Sequence, residues 1–142
     1  MKLVKHLIDA KGGDLIATGR DVSVFDAIKL MADRAVGSLL VMEGETLQGI
    51  VTERDYARKV ILKGRSSNST TVGEIMTGDV IRATPEMTVH ECMSLMTKKK
   101  IRHLPVEAGG RVVGLISIGD LVQAIIEDQQ EEIRHLEQYI SG

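Results

Sequence analysis

Aromatic side chains are nearly absent from this chain of 142 residues. It has one Phe, two Tyr and no Trp. Stacking of bases on aromatic faces, the usual platform for single-stranded nucleic acid, is therefore excluded as its main chemistry. The formal net charge is −2, so no overall field draws it to nucleic acid or to an anionic membrane. One cysteine, Cys92, rules out an intrachain disulfide and fits a reducing compartment. No apolar run approaches the roughly 18 residues of a membrane span, and no long apolar core follows Met1-Lys2-Leu3-Val4. A cytoplasmic protein without a membrane partner is the expectation. The four histidines show no metal-ligand spacing, and a lone thiol cannot complete a thiolate site. There is no Walker loop and no Gly-x-Gly-x-x-Gly.

What is present is an aliphatic, Met-containing sequence, 43% hydrophobic, that repeats itself. Gly49-Ile50-Val51-Thr52-Glu53-Arg54-Asp55 returns 65 positions later (114 − 49) as Gly114-Leu115-Ile116-Ser117-Ile118-Gly119-Asp120. At the same offset Ile16/Ile81, Val24/Val89, Leu30/Leu95, Met31/Met96, Leu39/Leu104, Val41/Val106 and Gly44/Gly109 are identical. The pattern in each copy is a buried strand running into a helix, with Thr52 or Ser117 as N-cap. The free N–H groups of a helix start suit phosphate, and an Asp three residues on can accept ribose hydroxyls. Ser/Thr-x-x-Asp is equally a capping pattern, and capping and binding can use the same atoms.

Read in order, each copy is β-α-β-β-α. The first has a short strand at Leu15 to Ala17, a helix capped by Ser23 with Asp26 at its third position, and strands Leu39 to Met42 and Leu47 to Val51. A helix then opens at Thr52 and runs to about Leu62. The second has strands at Val80 to Ala83, Leu104 to Val106 and Val112 to Ile116, a helix entered at Thr88, and a last helix from Ser117. Short helices, Leu3 to Ala10 and Val72 to Met76, precede the copies, and Lys11-Gly12-Gly13-Asp14 ends the first of them. These two helices align at offset 68 (Leu7 with Ile75) rather than 65, which leaves their pairing with the two halves open. Ile126, Ile133 and Ile140 stand seven apart, a short heptad seam on a helical tail and a candidate dimer contact.

A tandem of such units, with Gly-aliphatic-aliphatic-Thr/Ser-x-x-Asp in both and His103-Leu104-Pro105-Val106 in the second, resembles a CBS-domain pair (a Bateman module). Thr52 to Lys59 and the tail ending Leu136-Glu137-Gln138-Tyr139-Ile140 resemble the small stand-alone bacterial subgroup. The resemblance implies an α/β (α+β) fold of two pseudo-twofold units packed sheet to sheet, with flanking helices and a long C-terminal helix. It places a first unit with its N-terminal helix at 1–65, a linker at 66–71, a second unit at 72–126 and a helical extension at 127–142.

It also implies adenosine-containing ligands: AMP, ADP, ATP, NAD(H) or S-adenosylmethionine. Each pocket would be composite. One would use Ile16, Ala17, Thr18, Gly37, Ser38 and Leu39 with Ser117 and Asp120. The other would use Ile81, Arg82, Ala83, Arg102, His103, Leu104 and Pro105 with Thr52, Arg54 and Asp55, and Arg58 follows one turn later. Arginine supplies fixed, charge-assisted donors to phosphate, and Ile118-Gly119 stand where Glu53-Arg54 stand in the first copy. The Arg-bearing site is thus expected to prefer the more phosphorylated ligand. No catalytic set is expected: Cys92 falls at a helical core position, and Asp120 is badly placed to orient His103 against Ser117. The expectation is a non-enzymatic nucleotide sensor that changes arrangement with ligand, forms a homodimer and controls an unnamed partner protein. The alternatives are a ligand-free interaction module and, less favoured, an enzyme acting on nucleotides.

Overall fold

The computed structural model describes residues 2–12 and 14–141. Gly13, expected in the break after the first helix, lies outside the described residues. In chain order the elements are α1 (Val4–Lys11), β1 (Ala17–Thr18), α2 (Val24–Arg34), β2 (Ser38–Glu43), β3 (Thr46–Thr52) and α3 (Glu53–Tyr56). A π-turn (Ala57–Ile61) continues α3, and then come α4 (Val72–Ile75), α5 (Val89–Lys99), β4 (His103–Ala108), β5 (Arg111–Ser117) and the long α6 (Ile118–Ser141). The fold is mixed α+β with two small sheets. The chain forms two compact units, residues 14–81 and residues 1–13 with 82–142.

The unit of residues 14–81 holds a three-stranded sheet in the order β1-β2-β3, with β1 parallel to β2 and β3 antiparallel to it. Alternation does not govern β2: Ser38, Leu39, Leu40 and Val41 are all buried, as in a strand covered on both faces. Leu39, Val41 and Val51 form a core with Val24, Ala27 and Met31 of α2, Val60, and Val72 and Ile75 of α4. Ser23 caps α2 as its spacing predicted, its hydroxyl accepting from the Asp26 N–H at 3.1 Å.

The second unit repeats this arrangement with a two-stranded antiparallel sheet, β4-β5. The strand expected at Val80 to Ala83 is reduced to a single parallel bridge from Ala83 to Val106. Ala83 still donates to Pro105 O and accepts from Glu107 N, both at 2.9 Å, so the backbone keeps its place beside β4 without extending a ladder. The two β-bulges fall at equivalent places, Val41/Met42 and Val106/Glu107. So do two left-handed helix ends, Ala35 (φ 54°) and Lys100 (φ 55°).

The short helices are exchanged relative to the sequence order. Helix α1, expected with the first repeat, packs on β5 of the second. Its start is bridged to the start of α5 through Leu3 and Thr88. Helix α4, which follows the first repeat, contributes Val72 and Ile75 to that repeat's core. The motif glycines show why the exchange fits. A Cβ at Gly114 would overlap the Ile8 side chain of α1. A Cβ at Gly49 would lie 2.7 Å from Thr77 O and 2.8 Å from Met76 Sδ, just beyond α4. Each glycine is the space into which a short helix settles, and the offset of 68 aligns the helices that fill these two equivalent spaces.

Candidate functional site

Strand β3 delivers Thr52 to a helix start, and the junction closes on itself. Thr52 N–H and Thr52 Oγ1 both donate to Asp55 Oδ2, at 3.0 and 3.1 Å. The Asp55 N–H in turn donates to Thr52 Oγ1 at 3.1 Å. The second junction copies it: Ser117 N–H donates to Asp120 Oδ2 at 2.8 Å, and Asp120 N–H donates to Ser117 Oγ at 3.2 Å. These reciprocal bonds are the capping box expected from Ser/Thr-x-x-Asp. They also fix each carboxylate at the end of a sheet.

Around each box the backbone is arranged alike. Ser38 lies opposite Thr52, and His103 opposite Ser117. Glu53 N–H donates to Gly37 O at 3.1 Å, and Ile118 N–H donates to Arg102 O at 2.9 Å. Ile16 O accepts from Leu40 N–H at 3.1 Å, which holds the first strand beside the second. Ile16, Ala17, Thr18, Gly37, Ser38, Leu39, Thr52, Arg54, Asp55, Arg58 and Ile81 thus lie in one unit, and Arg82, Ala83, Arg102, His103, Leu104, Pro105, Ser117 and Asp120 in the other. Leu39 and Leu104 are fully buried. Arg54, Arg58 and Arg102 are exposed. Arg82 is ion-paired with Glu107.

Two lysines reach the box carboxylates, a contact the sequence reading did not assign to either. Lys59 Nζ lies 3.2 Å from Asp55 Oδ1 and donates to Ile75 O at 2.8 Å. Lys11 Nζ donates to Asp120 Oδ2 at 2.8 Å and to Leu115 O at 2.9 Å. Each lysine joins a box carboxylate to a backbone carbonyl. They reach these places from unrelated positions, Lys59 four residues after Asp55 and Lys11 at the end of α1. The first could have been read from its i,i+4 spacing. The second needed the exchanged helix. Burial opposes ionisation of Asp120, but the Lys11 and Ser117 hydrogen bonds outweigh it and hold its carboxyl below the usual range.

Cys92 is fully buried on α5, and burial pushes its thiol up to about 11. It is therefore a protonated core residue at neutral pH rather than a nucleophile. Among the described residues no cluster of His, Cys, Asp and Glu could hold a metal ion, and no helix is long and apolar enough to cross a membrane.

Comparison with known proteins identifies these paired units. A family model described as the CBS domain matches residues 10–62 and 72–127, and the chain belongs to that family, with two copies. CBS pairs are regulatory modules. The CBS domain-containing protein CBSX3, mitochondrial, of Arabidopsis thaliana is 47% identical over 127 residues, which cover 86% of this chain and 62% of that protein. The chain therefore spans less than two thirds of that relative's length. The structure of a protein with CBS domains from Burkholderia ambifaria matches with a TM-score of 0.87 and 50% identity, over 90% of this chain and 96% of the other. The CBS domain pair of protein MJ0100, solved in complex with 5′-methylthioadenosine and S-adenosyl-L-methionine, matches with a TM-score of 0.79 and 27% identity, over 90% and 98%.

Proposed function

We propose that this chain is a non-catalytic sensor of adenosine-containing ligands, among them AMP, ATP and NAD(H), working in the cytoplasm. The observation that carries the reading is the doubled box. Two carboxylates, Asp55 and Asp120, each accept from the backbone N–H of their cap residue at a strand-to-helix junction, each beside a hydroxyl and a cation. A hydroxyl suits phosphate, and a carboxylate suits a ribose diol. The MJ0100 pair with its bound adenosine derivatives supports this ligand class. Ligand would favour one arrangement of the chain, and a partner protein that binds this arrangement better would be regulated by it. Self-association through α6 belongs to the same reading. Ile126, Ile133 and Ile140 keep their seven-residue spacing there and are 42, 54 and 83% exposed. An apolar seam of that period is what a second copy of the helix would cover.

A ligand-free interaction module is the second reading. The caps and lysines already occupy both carboxylates, which is what a purely structural box requires.

Thermal denaturation with AMP, ATP, NAD⁺, NADH and adenosine separates the two. A ligand that binds only the folded chain raises the midpoint in a concentration-dependent way. A dose-dependent rise with any of them supports the sensor. An unchanged midpoint with all of them leaves the boxes as caps.

A further inference from the structure

The two boxes differ in how their carboxylates are used. A carboxylate has about four acceptor positions on its two oxygens. At Asp55, two on Oδ2 are filled by the Thr52 N–H and hydroxyl, and Lys59 lies on Oδ1. At Asp120, the Ser117 N–H and the Lys11 ammonium both go to Oδ2, which leaves Oδ1 outside both contacts. A ribose diol brings two adjacent O–H donors. Asp120 can meet them on the oxygen that Lys11 does not use. Asp55 can meet them in full only when Lys59 moves off Oδ1.

Lys59 has the looser hold on its carboxylate, though it also donates to Ile75 O at 2.8 Å. Its side chain is 45% exposed, and its contact to Asp55, at 3.2 Å, is longer than the 2.8 Å of Lys11 to Asp120. It sits inside the π-turn, where Leu62 N–H bonds to Ala57 O and Arg65 N–H to Val60 O. π-turns of this kind often mark working positions in helices. Sixty-five positions on, Ala124 is buried in the regular helix α6, so the second copy has no lysine in that place. Helix α1 supplies Lys11 instead, from another direction.

We propose that Lys59 sets the ligand class at the Thr52–Asp55 site, favouring phosphorylated nucleosides over uncharged ones, while the Ser117–Asp120 site accepts both. The inference rests on the reading of the boxes as adenosine-ligand sites. An uncharged nucleoside that takes Asp55 separates an ion pair and gives the ammonium nothing in return. A nucleotide takes the same carboxylate and offers Lys59 its phosphate, a charge-assisted partner of at least equal strength. Lys59 thus couples capture of the diol to the presence of an anion.

The test isolates one site with Asp120→Ala and titrates adenosine and AMP by calorimetry. In that background AMP binds about fivefold more tightly than adenosine, the scale of one partly exposed ion pair. Adding Lys59→Met strengthens adenosine and weakens AMP until the two agree within about twofold. Lys59→Arg keeps the preference. The Lys59 side chain is about half exposed, and unchanged thermal denaturation of these variants shows that the fold is kept. A preference for AMP that Lys59→Met leaves intact overturns the role of Lys59. The underlying reading is checked separately: if Asp55→Ala with Asp120→Ala still binds AMP as Asp120→Ala does, or if no variant binds AMP, both the reading and the inference fall.

Discussion

Ile8 fills the space that a side chain at Gly114 would need, though 106 residues separate them. This contact seats α1 on the sheet of the second repeat. Gly49 does the same for the chain just beyond α4, where Thr77 N–H and O both bond to Ile50. The motif glycines are therefore packing positions, and both have ordinary backbone angles.

Gly49→Ala and Gly114→Ala should both destabilise, but unequally. At Gly49 the new methyl meets a backbone carbonyl that a ladder bond holds in place. At Gly114 it meets the end of an isoleucine, which can change rotamer. Overpacking of this kind costs about 1–3 kcal/mol, and Gly49→Ala should fall at the upper end. Urea denaturation of both variants measures the difference. Equal or absent losses would remove the glycines from this role.

Asp120 gives the chain a specific acid sensitivity. Its carboxyl is held below its ordinary value in the fold, so it binds protons less readily there than in the unfolded chain. Its contribution is present above the unfolded pKa and is lost as pH falls through the folded one. Lys11→Met removes the ammonium and should cost up to about 1 kcal/mol at neutral pH, as for a partly exposed pair. The gap between Lys11→Met and the parent should close in acid, once Asp120 is protonated in both. Denaturation at pH 7 and in acid reads this directly.

Cys92 should behave in the opposite sense, in alkali. Its thiol is raised from 9.0 to about 11 by burial, so the folded chain retains a proton that the unfolded chain loses first. Stability from this residue is complete below pH 9 and declines as pH rises towards 11. Alkylation of the native protein at pH 8 should be slow and should track unfolding. Fast modification of the folded protein would contradict the buried placement.

Ile133→Glu places a charge in the exposed seam of α6, where nothing in the chain's own fold is buried. It should leave the unfolding midpoint of dilute protein unchanged and shift the sedimentation coefficient towards that of a monomer. A monomeric parent protein would remove self-association from the account.

Much of this was legible in the sequence. The doubled motif gave the family and the fold, because core periodicity and capping chemistry are local. Ser23 and Thr52 cap the helices they were expected to cap. The strand at Val80 to Ala83 failed because a Val-Ile pair has strand propensity, while the ladder it needs is a tertiary matter. The exchange of α1 and α4 was signalled by the offset of 68 but could not be resolved without the sheet that each covers. Lys11 was invisible for that reason, lying 109 residues from its partner. Lys59 was near enough to Asp55 to be seen, yet a basic residue on an exposed helix reads equally well as a solvated one.

The claim that both boxes bind adenosine-type ligands is tested most directly by calorimetric titration of AMP into the parent chain, Asp55→Ala and Asp120→Ala. The account predicts two sites in the parent and one in each variant, with each Asp substitution weakening one site and sparing the other. Loss of both sites in either variant, or no loss in both, would contradict it.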